Sequence, residues 1–501
     1  MNLSNLQEER VSSLSNRDLL PVPPTERTWK TQNFASMWMG VINNIPTYAT
    51  IGGLVVLGFS PWQVIGIIFT ASLILYVALT LNGHAGSKYG IPFPVLIRTS
   101  YGILGANIPA LLRGVVAIMW LGIQAYAGSA AFNIAFTLLW PGWAELGGGW
   151  TFLGIGLPGL FSFLLFWSLH FLVLKRGMES LKKFQGFTGP LVYIVLAGLL
   201  WWAIDTAGGV KPIFMQPGKY ETFGEAFFPF ISAVAGIIGI WSTLILNIPD
   251  FTRFSRSQTD QIKGQLYGLP VTFTIFTFVT VAATAATTVA FGKPIGDIIL
   301  LLQQFDRPIV IVIAALILSA ATITVNVIAN LVSPAYDLAN LFPKWINFKR
   351  GFYITMMAAL FTFPWKLMEN ADAIFTLLNL IGGALGPIAG VMIADYYIIR
   401  KRELNVNDIY SLNGEYTYFK GYNYRAFAAT LFGAAVALIG VFVPSLRELY
   451  DISWFLGVVL SFASYIGLMR LHPPASATRE KGEIECEAGN DAISSKHSSG
   501  A

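Results

Sequence analysis

The chain has 501 residues, of which 54% are hydrophobic and only 12% are charged, and its mean hydropathy is +0.60. Because a soluble protein carries about twice that share of charged residues, this composition excludes a soluble globular protein and indicates a polytopic membrane protein. The net charge of +5 is small, and its basic residues lie mainly in loops, so it indicates membrane topology rather than nucleic-acid binding.

Apolar runs of about 17 to 25 residues, long enough to cross a bilayer as helices, recur along the chain. They predict an all-α fold of about twelve transmembrane spans, at 34–58, 61–82, 108–137, 157–175, 188–208, 225–247, 266–292, 308–333, 352–368, 373–398, 426–444 and 452–471. Lys and Arg are concentrated in the loops that twelve crossings place on the same side as both termini. By the positive-inside bias, both termini are predicted to be cytoplasmic.

Two of these spans contain residues that interrupt helices. Span 1 contains Asn43, Asn44 and Pro46 near its middle, and span 6 contains the glycine-rich stretch 236–243. Irregular backbone at this depth is tolerated only where it is buried or lines a cavity. Two broken helices in matching positions therefore predict an inverted repeat of five plus five helices, with a binding site at the breaks.

The same pattern divides the chain into five segments. They are a cytoplasmic N-terminal tail (1–30), helices 1–5 forming the first repeat (31–208), helices 6–10 forming the inverted second repeat (209–400), a cytoplasmic loop with helices 11–12 (401–472) and a disordered cytoplasmic tail (473–501).

Two tryptophans lie deep within spans, where the aromatic belt at the membrane surface does not explain them. Trp120 is about twelve residues into span 3, with Gln124 one helical turn later, and Trp241 lies in the glycine-rich part of span 6. Aromatic faces stack on flat rings, and a glutamine amide offers both a donor and an acceptor. We therefore expect a mid-membrane pocket for a flat, polar, uncharged molecule.

Span 8 supplies a third wall to this expected pocket. Ser319, Thr322, Asn326 and Asn330 recur at spacings of three and four and so share one helical face. The alternative is that these groups only hydrogen-bond to neighbouring helices, which is a frequent role for such residues in membrane bundles.

Charged and titratable side chains are almost absent from the middle of the predicted spans. Arg113 lies a turn or two into span 3, and the remaining groups lie near span ends: Asp205, Asp250, Asp337, Asp395, His84 and His170. Because nothing central would balance a charge, we expect a neutral substrate.

Several motifs together resemble the nucleobase-cation symporter family. They are Trp-Leu-Gly-Ile-Gln at 120–124, Asn-Ile-Pro-Asp at 247–250, Ala-Asn-Leu-Val-Ser-Pro-Ala-Tyr at 329–336 and Gly-Pro-Ile-Ala-Gly at 386–390. The resemblance runs from about residue 26 to 472. Segments 33–36, 43–50 and 419–427 are most similar to the bacterial allantoin permeases of that family, and the chain also resembles its hydantoin transporters.

This resemblance implies a leucine-transporter-type fold with broken helices 1 and 6 and two additional C-terminal helices. It implies that two tryptophans stack on the substrate ring and that amide side chains bind its edges. The implied substrate-binding residues are Trp120, Gln124, Trp241, Asn330 and Asn44, and the implied gate on the outer side of span 10 is Leu378.

A sodium site is also implied by the resemblance, at Gly40, Asn43, Ala321 and Thr324. The family's sodium-dependent members have a second hydroxyl at the position occupied here by Val325. Because sodium prefers several hard oxygen ligands, we expect this site to be weak. Whether the coupling ion is Na⁺ or H⁺ stays open, and no other cofactor is expected.

Together these observations predict a monomeric secondary transporter in the bacterial inner membrane. We expect it to import allantoin or a related hydantoin or ureide by alternating access, with lipid and a small molecule as its partners. A uracil, cytosine or purine permease is the nearest alternative, because stacking plus an amide edge suits any flat lactam. A membrane sensor is a further alternative. A membrane-embedded enzyme is disfavoured, because the sequence has no His-Glu-x-x-His motif and no phosphate-binding Gly-Lys-Ser/Thr loop.

Overall fold

The computed structural model describes residues 14–174, 178–369 and 371–471. All twelve predicted spans correspond to helical segments, which confirms the all-α polytopic fold. The spans, in order, are Thr31–Ile42 with Ile45–Val56, Pro61–Tyr89, Asn107–Leu139, Leu157–Leu174, Met178–Thr206, Phe223–Asn247, Gln258–Phe291, Pro308–Val325 with Asn326–Val332 and Ser333–Leu341, Phe348–Leu360, Ala371–Ile393 with Ala394–Ile399, Tyr424–Phe442, and Ser453–Leu471.

Within the described residues, nine helices are both long enough and apolar enough to cross a membrane unaided. The other three spans are divided or short: span 1 is split into two helices of 12 residues, span 4 has 18 residues, and the main helix of span 9 has 13. Spans of this kind depend on their neighbours in the bundle rather than on length alone.

Short elements connect the spans. A small antiparallel hairpin pairs Thr151–Phe152 with Ile155–Gly156 between spans 3 and 4. The short helices and 3₁₀ turns are Arg17–Leu19, Pro24–Glu26, Phe93–Leu96, Arg98–Tyr101, Val210–Phe214, Pro249–Thr252, Ile298–Leu302, Pro364–Leu367, Asp408–Tyr410, Glu415–Thr417, Pro444–Leu446 and Arg447–Asp451.

The predicted break in span 1 is present. The first helix ends at Ile42 and the second begins at Ile45, after Asn44 in an extended conformation. The Asn44 side chain caps both ends of the break: its Oδ1 accepts from the Thr47 amide at 3.0 Å, and its Nδ2 donates to the Val41 carbonyl at 2.7 Å. A buried backbone break is therefore satisfied by a side chain of the same segment.

The predicted break in span 6 is wrong, because the helix runs without interruption from Phe223 to Asn247. Its glycines instead permit a close crossing with span 10, where a Cβ added to Gly382 would lie 3.1 Å from the Gly239 Cα. The Ser242 hydroxyl donates to the Gly239 carbonyl at 2.6 Å, within the same helix. Small residues thus serve helix packing here rather than a break.

Span 8 has an irregularity that the sequence did not predict. Residues Asn326–Val332 form a π-helical segment between two α-helices. Such wide turns are rare and are frequently found at functional sites. The π-helical segment of span 8 contains Asn330. This part of the predicted polar face therefore lies on a widened turn and not on a regular α-helix.

The N-terminal segment packs on one side of the bundle, which we call the terminal side. Arg98 donates to the Leu14 carbonyl at 2.6 Å, and Arg253 donates to the Leu20 carbonyl at 3.0 Å. Asn16 reaches the connection between spans 8 and 9 by donating to the Ile346 carbonyl at 2.9 Å. Residues 14–20 therefore tie together several connections on this side. The predicted disordered tail 473–501 lies outside the described residues.

Candidate substrate site

A cavity lies between spans 1, 3, 6, 7 and 8. Four of the predicted substrate-binding residues line it together: Trp120, Gln124, Trp241 and Asn330. The remaining lining residues are Pro46, Thr47, Thr50, Ile51, Ile237, Ile240, Thr243, Leu244, Phe273, Val325 and Ala329. None of these side chains carries a charge, as expected for a neutral ligand.

The two tryptophans are held within the bundle by their neighbours. Trp120 is 8% exposed and Trp241 is 7% exposed. The Trp241 ring packs edge-on against Phe273 at 5.8 Å between centroids and lies 6.4 Å from the Trp38 ring. These contacts fix the Trp241 ring in place at the cavity wall. That the two indoles enclose a ligand between them stays a prediction.

Two polar atoms at the cavity have no hydrogen-bond partner within the described part of the chain. They are the indole nitrogen of Trp120 and the Oε1 oxygen of Gln124. A buried polar group without a partner is costly, and ligand sites are a common reason for one. The Trp120 nitrogen is a donor and the Gln124 oxygen is an acceptor, and the two residues lie one turn apart on the same face of span 3.

The lining residues that the sequence does not assign to the site include Thr47, Thr50, Thr243 and Phe273. The hydroxyls of Thr47 and Thr50 are held by the span 1 break, since Thr47 accepts from Asn44 and Thr50 donates to the Pro46 carbonyl. Thr47 was detectable in principle, because it stands three residues after a capping asparagine.

Asn44 is a predicted substrate ligand that does not line the cavity. Its side chain is 1% exposed and makes four hydrogen bonds within residues 41–47. Its contribution in this structure is to shape the break that places Pro46 and Thr47 at the cavity wall. A direct contact between Asn44 and substrate would require these bonds to rearrange.

The polar stripe on span 8 divides into two roles. Asn330 lines the cavity, whereas Ser319 donates to the Gly128 carbonyl at 3.1 Å and Thr322 donates to the Leu318 carbonyl at 2.9 Å. The Thr322 hydroxyl also accepts from the Ile45 amide at 3.4 Å, across the span 1 break. Ser319 therefore hydrogen-bonds to a neighbouring helix, which is the alternative role considered above. Thr322 stabilises the break in span 1 through the Ile45 amide.

His170 lies near the end of the span 4 helix Leu157–Leu174, as predicted, but the sequence assigns it no role. In the structure it is fully buried, and its Nε2 lies 3.0 Å from the Asn326 Nδ2. Asn326 in turn accepts from Asn330 Nδ2 at 2.9 Å. A helix of span 4 therefore reaches the cavity wall through two side chains. The sequence could not show this contact, because it joins distant spans.

Arg113 is also buried and supports the wall of the cavity. Its Nη2 donates to the Ala329 carbonyl at 2.7 Å, in the π-helical segment, and its Nη1 lies 3.8 Å from the Asp337 Oδ2. Both charged side chains are at most 1% exposed. Asp337 lies near a span end, as predicted, but the fold encloses it. The guanidinium satisfies a carbonyl that a π-helix leaves displaced.

The residues implied for sodium lie at the span 1 break and on the facing part of span 8. Gly40, Asn43, Ala321 and Thr324 are all buried. Neither amide atom of Asn43 has a partner among the described residues, so this side chain adds a free oxygen at the break. The Thr324 hydroxyl donates to the Ala320 carbonyl at 3.3 Å. These groups fit a cation only partly, because one hydroxyl is engaged in its own helix.

Val325, the residue that replaces the expected hydroxyl, lines the substrate cavity. Thr324 points instead toward span 5, where its hydroxyl lies 3.4 Å from that of Thr188. The predicted gate Leu378 lies in the helix Ala371–Ile393, but its side chain lies outside the described residues.

A second, larger cavity adjoins the first on the side away from the terminal side. The two share Thr50, Ile237 and Ile240 as lining residues. The second cavity continues to the connections before span 2 and before span 6, at Leu57, Phe59, Lys219 and Tyr220. The candidate site is therefore continuous on this side with a second cavity.

The terminal side of the site is closed by bonds between spans 6 and 8. Ser333 donates to the Asp250 carboxylate and accepts from the Asn247 side chain. The Asp250 Oδ1 also accepts from the Phe93 amide at 2.8 Å. All three side chains are fully buried. An opening toward the terminal side would have to separate this group of bonds.

Residues 21–457 match the sequence profile of a family described as permeases for cytosine/purines, uracil, thiamine and allantoin. The chain belongs to this family. It is therefore a multi-pass membrane transporter and not an enzyme, as predicted. Within the described residues, no three His, Cys, Asp or Glu side chains form a group able to hold a metal ion.

Relatives and solved structures agree with this membership. The permease is 62% identical to the allantoin permease of Bacillus subtilis (strain 168) over 476 residues, covering 95% of this chain and 97% of that one. It is 40% identical to the purine-uracil permease NCS1 of Arabidopsis thaliana, covering 88% and 74%. Mhp1, a nucleobase-cation-symport-1 family transporter solved in a closed conformation with bromovinylhydantoin bound, matches with a TM-score of 0.76 at 25% identity, covering 92% and 96%.

Proposed function

We propose that the permease imports allantoin, or a closely related hydantoin or ureide, by alternating access. The observation that carries this proposal is the cavity in which Trp120, Gln124, Trp241 and Asn330 meet without any charged neighbour. Allantoin has a flat, neutral ring with amide edges, which suits aromatic faces combined with amide side chains. The 62% identity to the allantoin permease of Bacillus subtilis supports the same substrate.

The difference between the open and the closed side of the site supports alternating access. The larger cavity provides an entrance on one side, and the Ser333 bonds to Asp250 and Asn247 close the other. By the positive-inside bias, the distribution of Lys and Arg supports a cytoplasmic location for the closed side and for both termini. In this proposal substrate enters from outside, Leu378 on span 10 closes over it, and the spans then separate at Ser333.

The remaining parts of the proposal concern setting and architecture. The protein works as a monomer in a bacterial inner membrane. Residues 31–208 and 209–400 form the two inverted repeats, flanked by cytoplasmic tails and followed by helices 11 and 12. Span 6 contributes to the site as a continuous helix, so only span 1 of the proposed pair is broken.

Coupling to sodium is expected to be weak or absent. The span 8 side chain that would supply a second oxygen is Val325, and the Thr324 hydroxyl already donates to its own helix. We therefore expect the affinity for allantoin to change by less than about fivefold, near 1 kcal/mol, when sodium replaces choline at constant ionic strength. Proton coupling remains the alternative.

A matched pair of variants tests the assignment of Val325. Val325→Thr replaces a methyl group with a hydroxyl of nearly the same size and should increase any effect of sodium on substrate binding. Val325→Ala adds no hydroxyl and should not increase that effect. A sodium effect above about fivefold in the unaltered protein would contradict the expectation of a weak site.

A permease for uracil or purines is the second candidate, supported by the 40% identity to the plant purine-uracil permease. A binding screen separates the two candidates, with tryptophan fluorescence of the purified protein as the readout. Allantoin and hydantoins are expected to change the fluorescence at lower concentrations than uracil, cytosine or hypoxanthine. Tighter binding of a nucleobase than of every hydantoin and ureide would favour the second candidate.

A further inference from the structure

Asn330 presents an amide to the cavity, and an amide has two different ends. The Oδ1 end accepts a hydrogen bond and the Nδ2 end donates one, so the end that faces the ligand decides which ligand group is recognised. In this structure a series of hydrogen bonds from span 4 determines which end that is. The series begins at His170 and passes through Asn326.

The ring of His170 has only one arrangement of its proton that fits its neighbours. Its Nδ1 lies 3.1 Å from the carbonyl oxygens of both Phe166 and Trp167. Carbonyl oxygens only accept, so Nδ1 must carry the hydrogen. In the neutral imidazole the other nitrogen, Nε2, is then an acceptor.

Asn326 is oriented by two acceptors at once. Its Nδ2 lies 3.0 Å from the His170 Nε2 and 3.1 Å from the carbonyl oxygen of Leu121 on span 3. Each acceptor takes one of the two amino hydrogens, so the reversed amide would place an oxygen against two acceptors. The Oδ1 of Asn326 is consequently directed toward Asn330, whose nearest amide atom is 2.9 Å away.

The atom of Asn330 that meets this oxygen must be the donor, Nδ2. Asn330 lines the cavity, and its Oδ1 is the end of the amide that this bond does not engage. His170 and Asn326 are fully buried and Asn330 is 2% exposed, so water does not compete for these bonds. The polarity of the cavity wall is thus set two residues away from the ligand.

We propose that His170 and Asn326 are positioning residues that hold Asn330 as a hydrogen-bond acceptor, so that the site selects ligands with an N–H donor at this edge. This proposal rests on the proposed function, because it takes the ligand to be a hydantoin-type ring. Gln124 differs, since its Oε1 has no partner among the described residues, and no comparable series of bonds there holds its amide. The site therefore has one fixed acceptor and one adaptable amide.

The test compares the affinities of the purified full-length protein for hydantoin, 1-methylhydantoin and 3-methylhydantoin by calorimetry. In the unaltered protein, at least one methyl derivative should bind about tenfold or more weakly than hydantoin, because it loses the bond to Asn330 and places a methyl group there. The measured quantity is the dissociation constant of the weaker-binding methyl derivative divided by that of hydantoin.

Asn326→Leu releases the Asn330 amide, and the ratio should fall by about threefold or more, since hydantoin loses a fixed partner. The methyl group is equally bulky in both proteins, so a fall in the ratio reports the hydrogen bond and not the size of the ligand. His170→Leu should lower the ratio partly, because the Leu121 carbonyl still holds Asn326. His170→Gln, which keeps an acceptor, should preserve it.

Ser319→Ala is the matched control, since Ser319 lies on the same face of span 8 but bonds to Gly128. It should leave the ratio unchanged. Equal affinities for all three ligands, or an unchanged ratio in both Asn326→Leu and His170→Leu, would overturn the positioning role while leaving the transport function intact. Failure of the unaltered protein to bind hydantoin or allantoin would overturn the proposed function and this proposal with it.

Discussion

Replacing Trp120 or Trp241 with alanine is expected to weaken allantoin binding by about tenfold or more in each case. Each aromatic face in contact with a ring contributes about 0.5 to 1.5 kcal/mol beyond the area that it buries, and truncation also removes that buried area. Both side chains line the same cavity, so the two substitutions act on one ligand. Calorimetry is the suitable measurement, because it does not depend on tryptophan fluorescence.

The controls separate loss of stacking from loss of fold. Trp201→Ala removes a tryptophan that also lies in a membrane helix but is 71% exposed, and it should leave binding unchanged. Trp241→Phe keeps an aromatic face beside Phe273 and should lie between the alanine variant and the unaltered protein. Full affinity in both alanine variants, with folding intact, would remove the stacking arrangement.

Gln124→Leu is expected to have an effect of similar size. The substitution nearly keeps the volume of the side chain but removes the partner of a ligand amide, which costs about 1 to 3 kcal/mol in a buried site. The Oε1 oxygen of Gln124 has no partner in the part of the chain that the structure describes, so the variant loses no bond of that oxygen seen there. Transport measured at a substrate concentration below the Michaelis constant should fall by about fivefold or more.

Gln216→Leu is the comparison variant for this prediction. Gln216 lies outside the cavity and donates to the Pro212 and Ala285 carbonyls. It should change transport little in comparison with Gln124→Leu. Equal losses in the two variants would indicate an effect on the fold rather than on ligand recognition.

Local signals in the sequence predicted the helical spans and several of the residues that line the cavity. Long apolar runs have few interpretations, so all twelve spans correspond to helical segments. Asn44 and Pro46 interrupt a helix by their own chemistry, and the break in span 1 appears where they stand. Trp120 and Gln124 share a helix face one turn apart, which requires no knowledge of other spans.

Features that depend on contacts between spans were not predictable in this way. The glycines of span 6 are equally compatible with a helix break and with a close helix crossing. The close approach of Gly382 on span 10 shows that they form a crossing. The π-helical segment of span 8 has no local signature in its sequence. His170 acquires its contact with Asn326 because span 4 packs near the cavity, and no spacing within the chain indicates that pairing.

We expect this permease to carry allantoin or a hydantoin across the membrane through the cavity lined by Trp120 and Asn330. Counterflow in liposomes tests it most directly: liposomes loaded with unlabelled allantoin are diluted into a trace of labelled allantoin. We expect transient accumulation of label that Trp120→Ala and Asn330→Leu reduce strongly and Ser319→Ala does not. Binding of allantoin without any exchange would contradict transport, and exchange that both cavity variants leave unchanged would contradict this site.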